Sequence, residues 1–328
     1  MLLDVDNLNI DIATANGALP VVQDVSFCVS KGETLCIVGE SGCGKSITAL
    51  SLLGLLPKVA KRTAREMTFE GIDMQRISKS ELRSLRGNRL SMIFQEPMTA
   101  LSPLHTIGRQ LSDVYRAHRK ASRGQALERA IYLLEQVGIA NARQRLNSYP
   151  HELSGGMRQR VVIAMALMCE PELIVADEPT TALDVTLQAE LLRLLMDLQK
   201  SFGMGMIMIT HDLGLVSRIA DSVIVMYAGQ VVEAAPAEKL FTNPSHPYTR
   251  ALLGSVPDPL HPRMKPLPSI AGTVPSLLNR MEGCHFFDRC PLASDACRRP
   301  IELEKIGQCH EARCVKAGEA KLRPKVVA

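Results

Sequence analysis

The sequence predicts an α/β fold around a parallel sheet. Five short aliphatic runs carry the prediction: TLCIVG (Thr34 to Gly39), LSMIFQ (Leu90 to Gln95), LIVADE (Leu173 to Glu178), GMIMITH (Gly205 to His211) and SVIVMYAG (Ser222 to Gly229). Runs apolar on both faces suit strands covered by helices on either side, which is how parallel sheets are buried. Segments with helical spacing separate or follow them, among them SITALSLLGLL, RGQALERAIYLLEQVG, MRQRVVIAMALM and LQAELLRLLMDLQKSFG, and alternating strands and helices are the pattern of α/β domains. A chain of 328 residues, 46% hydrophobic and 22% charged, can bury such a core; with 4% aromatics and no Trp it would pack it with aliphatic side chains.

Residues from about 97 to 152 lack a convincing strand and read as a mainly helical insertion between the second and third runs. Pro244 to Pro275 holds eight prolines in 32 residues, enough to prevent regular helix or sheet over most of the span, and a domain boundary is expected there. Residues 1–243 are then one domain, and 244–328 a Pro-rich linker with a short, polar, Cys-rich extension that has little apolar core of its own. The formal charge of +4 comes from no dense basic block, so nucleic acid gains no support as a partner. MLLDVDNLNIDIA carries two early Asp and no basic residue ahead of an apolar run, unlike a secretory signal. The longest apolar run, VVIAMALMC, has nine residues against the roughly 20 of a membrane-spanning helix, so the expectation is a cytosolic chain that does not cross a bilayer unaided.

GESGCGKS, Gly39 to Ser46, fits the pattern Gly, four residues, Gly, Lys, Ser, and lies after an aliphatic run and before a helical one. In such a loop Gly39, Glu40, Ser41, Gly42, Cys43 and Gly44 would turn backbone N–H groups onto a β-phosphate at the positive end of the next helix. Lys45 would reach the β and γ oxygens, and the Ser46 hydroxyl a Mg²⁺ position. LIVADE would bring Asp177 out of the sheet to hold Mg²⁺, with Glu178 beside it to activate the attacking water. His211 ends another aliphatic run, where a His could contact a γ-phosphate and that water. A chance Gly-rich turn, a solvated Asp-Glu pair and a capping His are the bland alternatives, and the strand and helix context argues against them.

Leu153 to Arg160 reads LSGGMRQR. With the phosphate loop, IFQEP (Ile93 to Pro97), LIVADEPT, the ALD of Ala182 to Asp184 and ITHD (Ile209 to Asp212), the chain resembles the ATP-binding subunit of ABC transporters over roughly residues 1 to 250. The resemblance implies an ABC-type P-loop NTPase with a parallel-sheet core and a helical insertion, binding ATP and Mg²⁺ and hydrolysing ATP. It implies two cassettes facing head to tail, with ATP between the phosphate loop of one and the signature of the other. Ser154, Gly155, Gly156 and Gln159 would then act on the facing ATP from the positive end of a helix. By the same resemblance Ser46, Gln95 and Asp177 serve Mg²⁺, with Gln95 also sensing the membrane partner. Glu178 is the general base, His211 the switch, and Asp184 organises the dimer interface. The signature departs from LSGGQ at Met157, and the aromatic that usually stacks on adenine is missing from ATANGALPVVQDV (Ala13 to Val25).

Beyond the cassette, NPSHPYTRALLGSVPDP (Asn243 to Pro259), IAGTVPSL and a spaced set of cysteines resemble the C-terminal extension of oligopeptide and dipeptide permease ATPases. Cys284, Cys290, Cys297 and Cys314, separated by five, six and sixteen residues, match four cysteines that in this subfamily carry a [4Fe–4S] cluster. Spacing does not name the metal: zinc stays open, although its paired ligands usually lie two to four residues apart, and an unliganded reduced loop is the third reading. Either metal would staple a segment too small for a core. Cys309 is a fifth where the pattern asks for none, and its neighbour His310 matches the family's His. Cys28, Cys36, Cys43 and Cys169 are read as small packing residues.

Partners and location also follow from the resemblance: a second ATPase subunit, usually a different chain, two transmembrane permeases and an extracytoplasmic peptide-binding protein. The chain would sit peripherally on the cytoplasmic face of the inner membrane and drive uptake of di- and oligopeptides. Nickel, opines, glutathione or sugars are alternative cargoes of related systems. An ABC ATPase acting on nucleic acid or ribosomes would usually show long coiled coils or a second cassette, and this chain has neither.

Overall fold

The computed structural model describes residues 1–15, 17–95, 100–180, 184–256 and 269–317. They form two compact units, one made of Met1–Leu3, Val29–Glu33 and Phe69–Met208, the other of Asp4–Cys28, Thr34–Thr68 and the chain from Ile209 onward.

In the first unit the strands Leu90–Ile93 and Leu173–Asp177 run parallel, with Leu90 opposite Leu173 and Ile93 opposite Ala176, and Gly205–Ile209 is the next strand beyond Leu173–Asp177. Every residue of Leu90–Ile93, Leu173–Asp177 and Gly205–Ile209 is buried, as runs apolar on both faces require. The helices Gly155–Ala166 and Val185–Phe202 fall on two of the segments with helical spacing. Between residues 100 and 152 the described chain holds helices Ile107–His118, Arg123–Gln136 and Ala142–Arg145 and a short 3₁₀ turn, Pro150–Glu152, and no strand. Residues 97–99, where the insertion is expected to begin, lie outside the described residues.

Thr106 and Ser122 start the first two of these helices by accepting from the N–H of Arg109 and Gln125, and Gln125 returns the bond to Ser122 in a capping box. Arg123–Gln136 buries Ala126, Ala130, Ile131, Leu133 and Leu134 along one stripe. At Gly108 a side chain would stand 2.9 Å from the Leu146 backbone oxygen, so only glycine lets the helix come this close.

The second unit holds the other half of the parallel pairing, Thr34–Val38 beside Ser222–Tyr227. It also holds what a search for continuous aliphatic runs misses. Leu3–Thr14 and Gly17–Val29 are neighbouring strands, and Ala60–Thr63 pairs antiparallel with the first. Leu3–Thr14 alternates buried and half-buried positions and half its residues are polar, while Gly17–Val29 interrupts its apolar residues at Gln23, Asp24 and Ser26, so neither reads as a continuous buried run. Gln230–Pro236 returns antiparallel to Ser222–Tyr227, and the hairpin Glu304–Gly307 with His310–Ala312 pairs onto its far side. The sheet is therefore mixed rather than wholly parallel.

The Pro-rich span holds one short helix among its described residues. Pro247 occupies the first turn of a helix, Pro247–Gly254, where its missing N–H costs nothing, and the His246 side chain caps it. Residues 257–268, with five of the eight prolines, lie outside the described residues. Residues 269–317 belong to the same compact unit as the strands they touch. They contain three 3₁₀ turns and one hairpin and are tied down by long-range bonds: Arg313 Nε donates to the Val231 carbonyl (3.0 Å) and its Nη2 to Asp24 (2.8 Å), while Arg280 donates to the Pro20 carbonyl (2.7 Å).

Candidate functional site

The phosphate-loop residues Gly39–Ser46 lie in the second unit between the strand Thr34–Val38 and the helix Lys45–Leu52. Three glycines shape the turn, with φ of +150° at Gly39, +77° at Gly42 and +104° at Gly44. A Cβ at Gly39 would lie 2.2 Å from the Met226 carbonyl oxygen, so the close approach of loop to strand allows no side chain. Helix Lys45–Leu52 begins at Gly44 without a side-chain cap and with no acid in its first turn, leaving its positive end for an anion. Lys45 is buried, and its ammonium donates to the carbonyls of Gly39 (2.7 Å) and Glu40 (3.0 Å). The loop is thus already curled with its cation inside it. Ser46, at the helix start, is half-buried, Ser41 and Gly42 are exposed, and Cys43 is buried with its thiol pushed up by burial.

Asp177, Glu178 and Gln95 lie in the first unit. Asp177 ends the strand Leu173–Asp177 and is 5% exposed. Glu178 follows with φ of +45°, a left-handed conformation uncommon for a residue with a side chain. Gln95 Nε2 donates to Glu178 Oε2 at 3.1 Å, so the structure brings the expected water-orienting amide and the expected base together. Glu96 and Pro97 of IFQEP lie outside the described residues. His211 belongs to the second unit and is exposed, immediately before Asp212, which caps the helix Leu213–Ile219.

Ser154, Gly155 and Gly156 line an open recess of the first unit together with Met157, Arg160, Asp184 and Leu187. Ser154 caps the helix Gly155–Ala166 by accepting from Met157 N–H (3.3 Å), and a Cβ at Gly155 would meet nothing within 4 Å. Asp184 caps Val185–Phe202 by accepting from Leu187 N–H (2.9 Å). Two helix N-termini therefore open on one recess, a surface suited to an anion. Gln159 does not join it. The residue is 1% exposed and its amide donates to the Pro179 carbonyl at 2.7 Å, because the helix turns this position into the core, so the placing of Gln159 on a facing ATP is corrected. Ala182 and Leu183 of ALD lie outside the described residues.

Cys284, Cys290, Cys297 and Cys314 line one small cavity together with His246, Phe287 and Lys316. The Cys284 thiol is pushed up to about 12, first by burial and then by the charge of its three neighbours. Burial also raises Cys290 and Cys314, which Lys316 and Arg250 partly offset. Burial thus resists the thiolate form of Cys284, Cys290 and Cys314, and a bound cation is what would offset it. His246 Nδ1 accepts from Tyr248 N–H (3.0 Å), which leaves the proton on Nε2, and that buried atom has no protein partner. An orphan donor on the wall of a thiol-lined cavity suits a sulfur-rich occupant. As they stand, the described residues include no group of three or more His, Cys, Asp or Glu side chains that could hold a metal ion.

Cys309 is exposed on the hairpin turn with φ of +54° and does not line the cavity. His310 instead donates to the fully buried Glu233 (2.8 Å), which also accepts from the N–H groups of Ser245 and His246. Cys36, Cys43 and Cys169 are buried as expected, whereas Cys28 is exposed and is no packing residue.

Two residues that sequence reasoning missed act on the phosphate loop. Tyr248 Oη accepts from Glu40 N–H (2.9 Å), and the Arg289 guanidinium grips the Glu40 carboxylate with two bonds of 2.7 and 3.0 Å. They stand 208 and 249 positions away, beyond the reach of any local pattern.

Two family models match the chain, "ABC transporter" over residues 22–181 and "Oligopeptide/dipeptide transporter, C-terminal region" over residues 232–297. A probable peptide ABC transporter ATP-binding protein of Sinorhizobium fredii is 51% identical over 97% of this chain and 96% of its own. The dipeptide transport ATP-binding proteins DppD of Bacillus subtilis and Escherichia coli are 48% and 46% identical, each over 95% of this chain and over 94% and 96% of their own. Among solved structures, the dimeric ATP-binding cassette MJ0796 in a post-hydrolysis state with ADP and phosphate superposes with a TM-score of 0.64 at 26% identity, covering 72% of this chain and 98% of that one. Identity sustained over nearly the whole chain, on a structure that shapes its phosphate loop and gathers its signature, leaves one conclusion: the chain belongs to the ATP-binding proteins of ABC transporters, in the group that carries the oligopeptide/dipeptide transporter C-terminal region.

Proposed function

We propose that this ABC ATPase drives the import of di- or oligopeptides, with the cassette as motor and two membrane permeases as the path. The observation that carries the reading is likeness over nearly the whole chain, cassette and extension together, to proteins named for peptide or dipeptide transport. In this reading the loop Gly39–Ser46 with Lys45 binds the phosphates, and Ser46, Asp177 and Gln95 serve Mg²⁺. Magnesium bound there would neutralise charge developing on the phosphates. Glu178 takes the proton of the attacking water, which Gln95 helps to orient and His211 senses. Ser154, Gly155 and Gly156, with Asp184 beside them, would close on the ATP of a facing cassette, most simply a different chain.

Cys284, Cys290, Cys297 and Cys314 are proposed to hold a [4Fe–4S] cluster. A single zinc with bonds of about 2.3 Å would draw its sulfurs within about 4 Å of one another. Four cysteines around one cavity, spaced by five, six and sixteen residues rather than as the short paired knuckles usual for zinc, better suit a cluster held by four thiolates. The helical residues 100–152 and the tail would be the insertion and the extension of the peptide-permease type. No described helix is long and apolar enough to cross a membrane, and the chain would be held on the cytoplasmic face by the permeases.

Anaerobic purification of the tagged chain from membranes tests the reading. Two permeases and a second ATPase should accompany it in stoichiometric amount, with iron and sulfide in the product and peptide in the cognate binding protein. Recovery of ribosomes or DNA would overturn the transporter reading; a binding protein loaded with nickel, sugar or glutathione would overturn the cargo; a colourless protein with one equivalent of zinc would overturn the cluster.

A further inference from the structure

We infer that Arg289 is a positioning residue for the nucleotide site, which neutralises and fixes Glu40 of the phosphate loop, and that the four-cysteine site acts on ATP binding through it. The second half rests on the proposed reading of the cysteines as ligands; the first does not.

Glu40 is the second residue of the loop that would receive the phosphates. An unpaired carboxylate there repels the anion the loop is shaped to bind, and the repulsion is weakly screened where solvent is partly excluded. Arg289 removes it. Its side chain is 4% exposed, and it meets Glu40 in a two-pronged bond whose planar match fixes orientation as well as charge. The rest of the guanidinium is anchored: Nε donates to the Ala271 carbonyl (2.8 Å), Nη2 to the Ile270 carbonyl (3.2 Å) and Nη1 to Tyr227 Oη (3.2 Å). The Glu40 N–H is meanwhile taken by Tyr248, so the residue is held by backbone and by side chain at once.

The mount of this arginine leads to the cysteines. Arg289 ends the 3₁₀ turn Phe287–Arg289, which is bracketed by two of the four thiols: Phe287 N–H donates to the Cys284 carbonyl (3.0 Å) and Cys290 N–H to the Phe287 carbonyl (3.2 Å). Phe286, just before it, is 1% exposed and packs against Tyr227 and Tyr248, each with ring centroids 5.3 Å away. The guanidinium lies over Tyr227 and Phe286 at 5.7 and 5.8 Å. A chain with 5 Tyr, 7 Phe and no Trp thus concentrates three of its aromatics between the cysteine cavity and the phosphate loop. Whatever the thiols bind sets the spacing of Cys284 and Cys290, hence the pitch of the turn and the reach of Arg289. Loss of the bound group should loosen the grip on Glu40 and weaken ATP binding with no direct contact between group and nucleotide.

The test is equilibrium binding of a fluorescent ATP analogue to the purified full chain, with iron content and far-UV circular dichroism recorded for every sample. Arg289→Ala should weaken binding about tenfold, Arg289→Lys by less, and adding Glu40→Gln to Arg289→Ala should restore affinity to within about twofold of the parent. Unchanged affinity in Arg289→Ala, or a double variant as weak as the single, would show that the arginine only props the tail. Stripping iron with a chelator should weaken binding in the parent and add nothing in Arg289→Ala; independent, additive losses would overturn the link to the cysteines. A chain that holds no metal would remove the cysteine reading while the Arg289 and Glu40 arm still gives its own answer.

Discussion

The phosphate loop and the cysteine cavity are both candidate ligand sites of the second unit, and they are built in opposite ways. The loop is made of backbone from eight consecutive residues, its shape stored in the left-handed dihedrals of Gly39, Gly42 and Gly44 and in a contact with Met226 that no side chain could enter. The cavity is made of side chains from residues 246 to 316, and burial holds its Cys284, Cys290 and Cys314 thiols against the charged form that metal binding needs. A backbone site is preformed and tolerates an absent ligand. A thiol site depends on its occupant, because metal-bound sulfur is thiolate and a set of thiolates is stable only beside the cation it binds.

That contrast can be broken or sharpened by four changes. The largest effect is expected at Glu178→Gln, which should slow ATP hydrolysis by about 10²- to 10⁴-fold while nucleotide stays bound, measured as phosphate release against retained nucleotide; ordinary turnover would refute its role as base. Lys45→Ala should weaken nucleotide binding itself by about 10- to 100-fold, read by titration, with the iron content unchanged, since it removes a charged donor from the loop and leaves the tail alone. On the proposed cluster reading, Cys297→Ser should cost most of the iron found in the purified chain and about 2–4 kcal/mol of stability in thermal unfolding, while the phosphate loop keeps a weakened but measurable affinity. Cys309→Ser, by contrast, should leave iron content unchanged and melting within about 0.5 kcal/mol of the parent, because that exposed turn residue does not line the cavity.

The same contrast explains what could be read in advance. The five buried strands were legible because strands covered on both faces leave continuous aliphatic runs, and the loop because eight adjacent residues carry the whole device. Leu3–Thr14 and Gly17–Val29 interleave buried residues with half-buried polar ones and so leave no continuous aliphatic run to read. Gln159 stands two places past LSGGM in the sequence, yet helical geometry turns it inward. The four cysteines could be picked from five, yet spacing could not say that they share a cavity with His246, nor that Arg289 and Tyr248 reach back to Glu40. Contacts across more than two hundred residues leave no local mark on a sequence.

The central claim, that ATP hydrolysis by this chain moves peptide through a membrane partner, is tested most directly by reconstituting the purified complex in liposomes with the cassettes facing outward and peptide-loaded binding protein enclosed. The account predicts that external Mg²⁺-ATP releases labelled peptide to the outside, that loaded binding protein raises hydrolysis, and that Glu178→Gln stops both. Hydrolysis indifferent to the loaded binding protein, with no ATP-dependent movement of peptide, would contradict it.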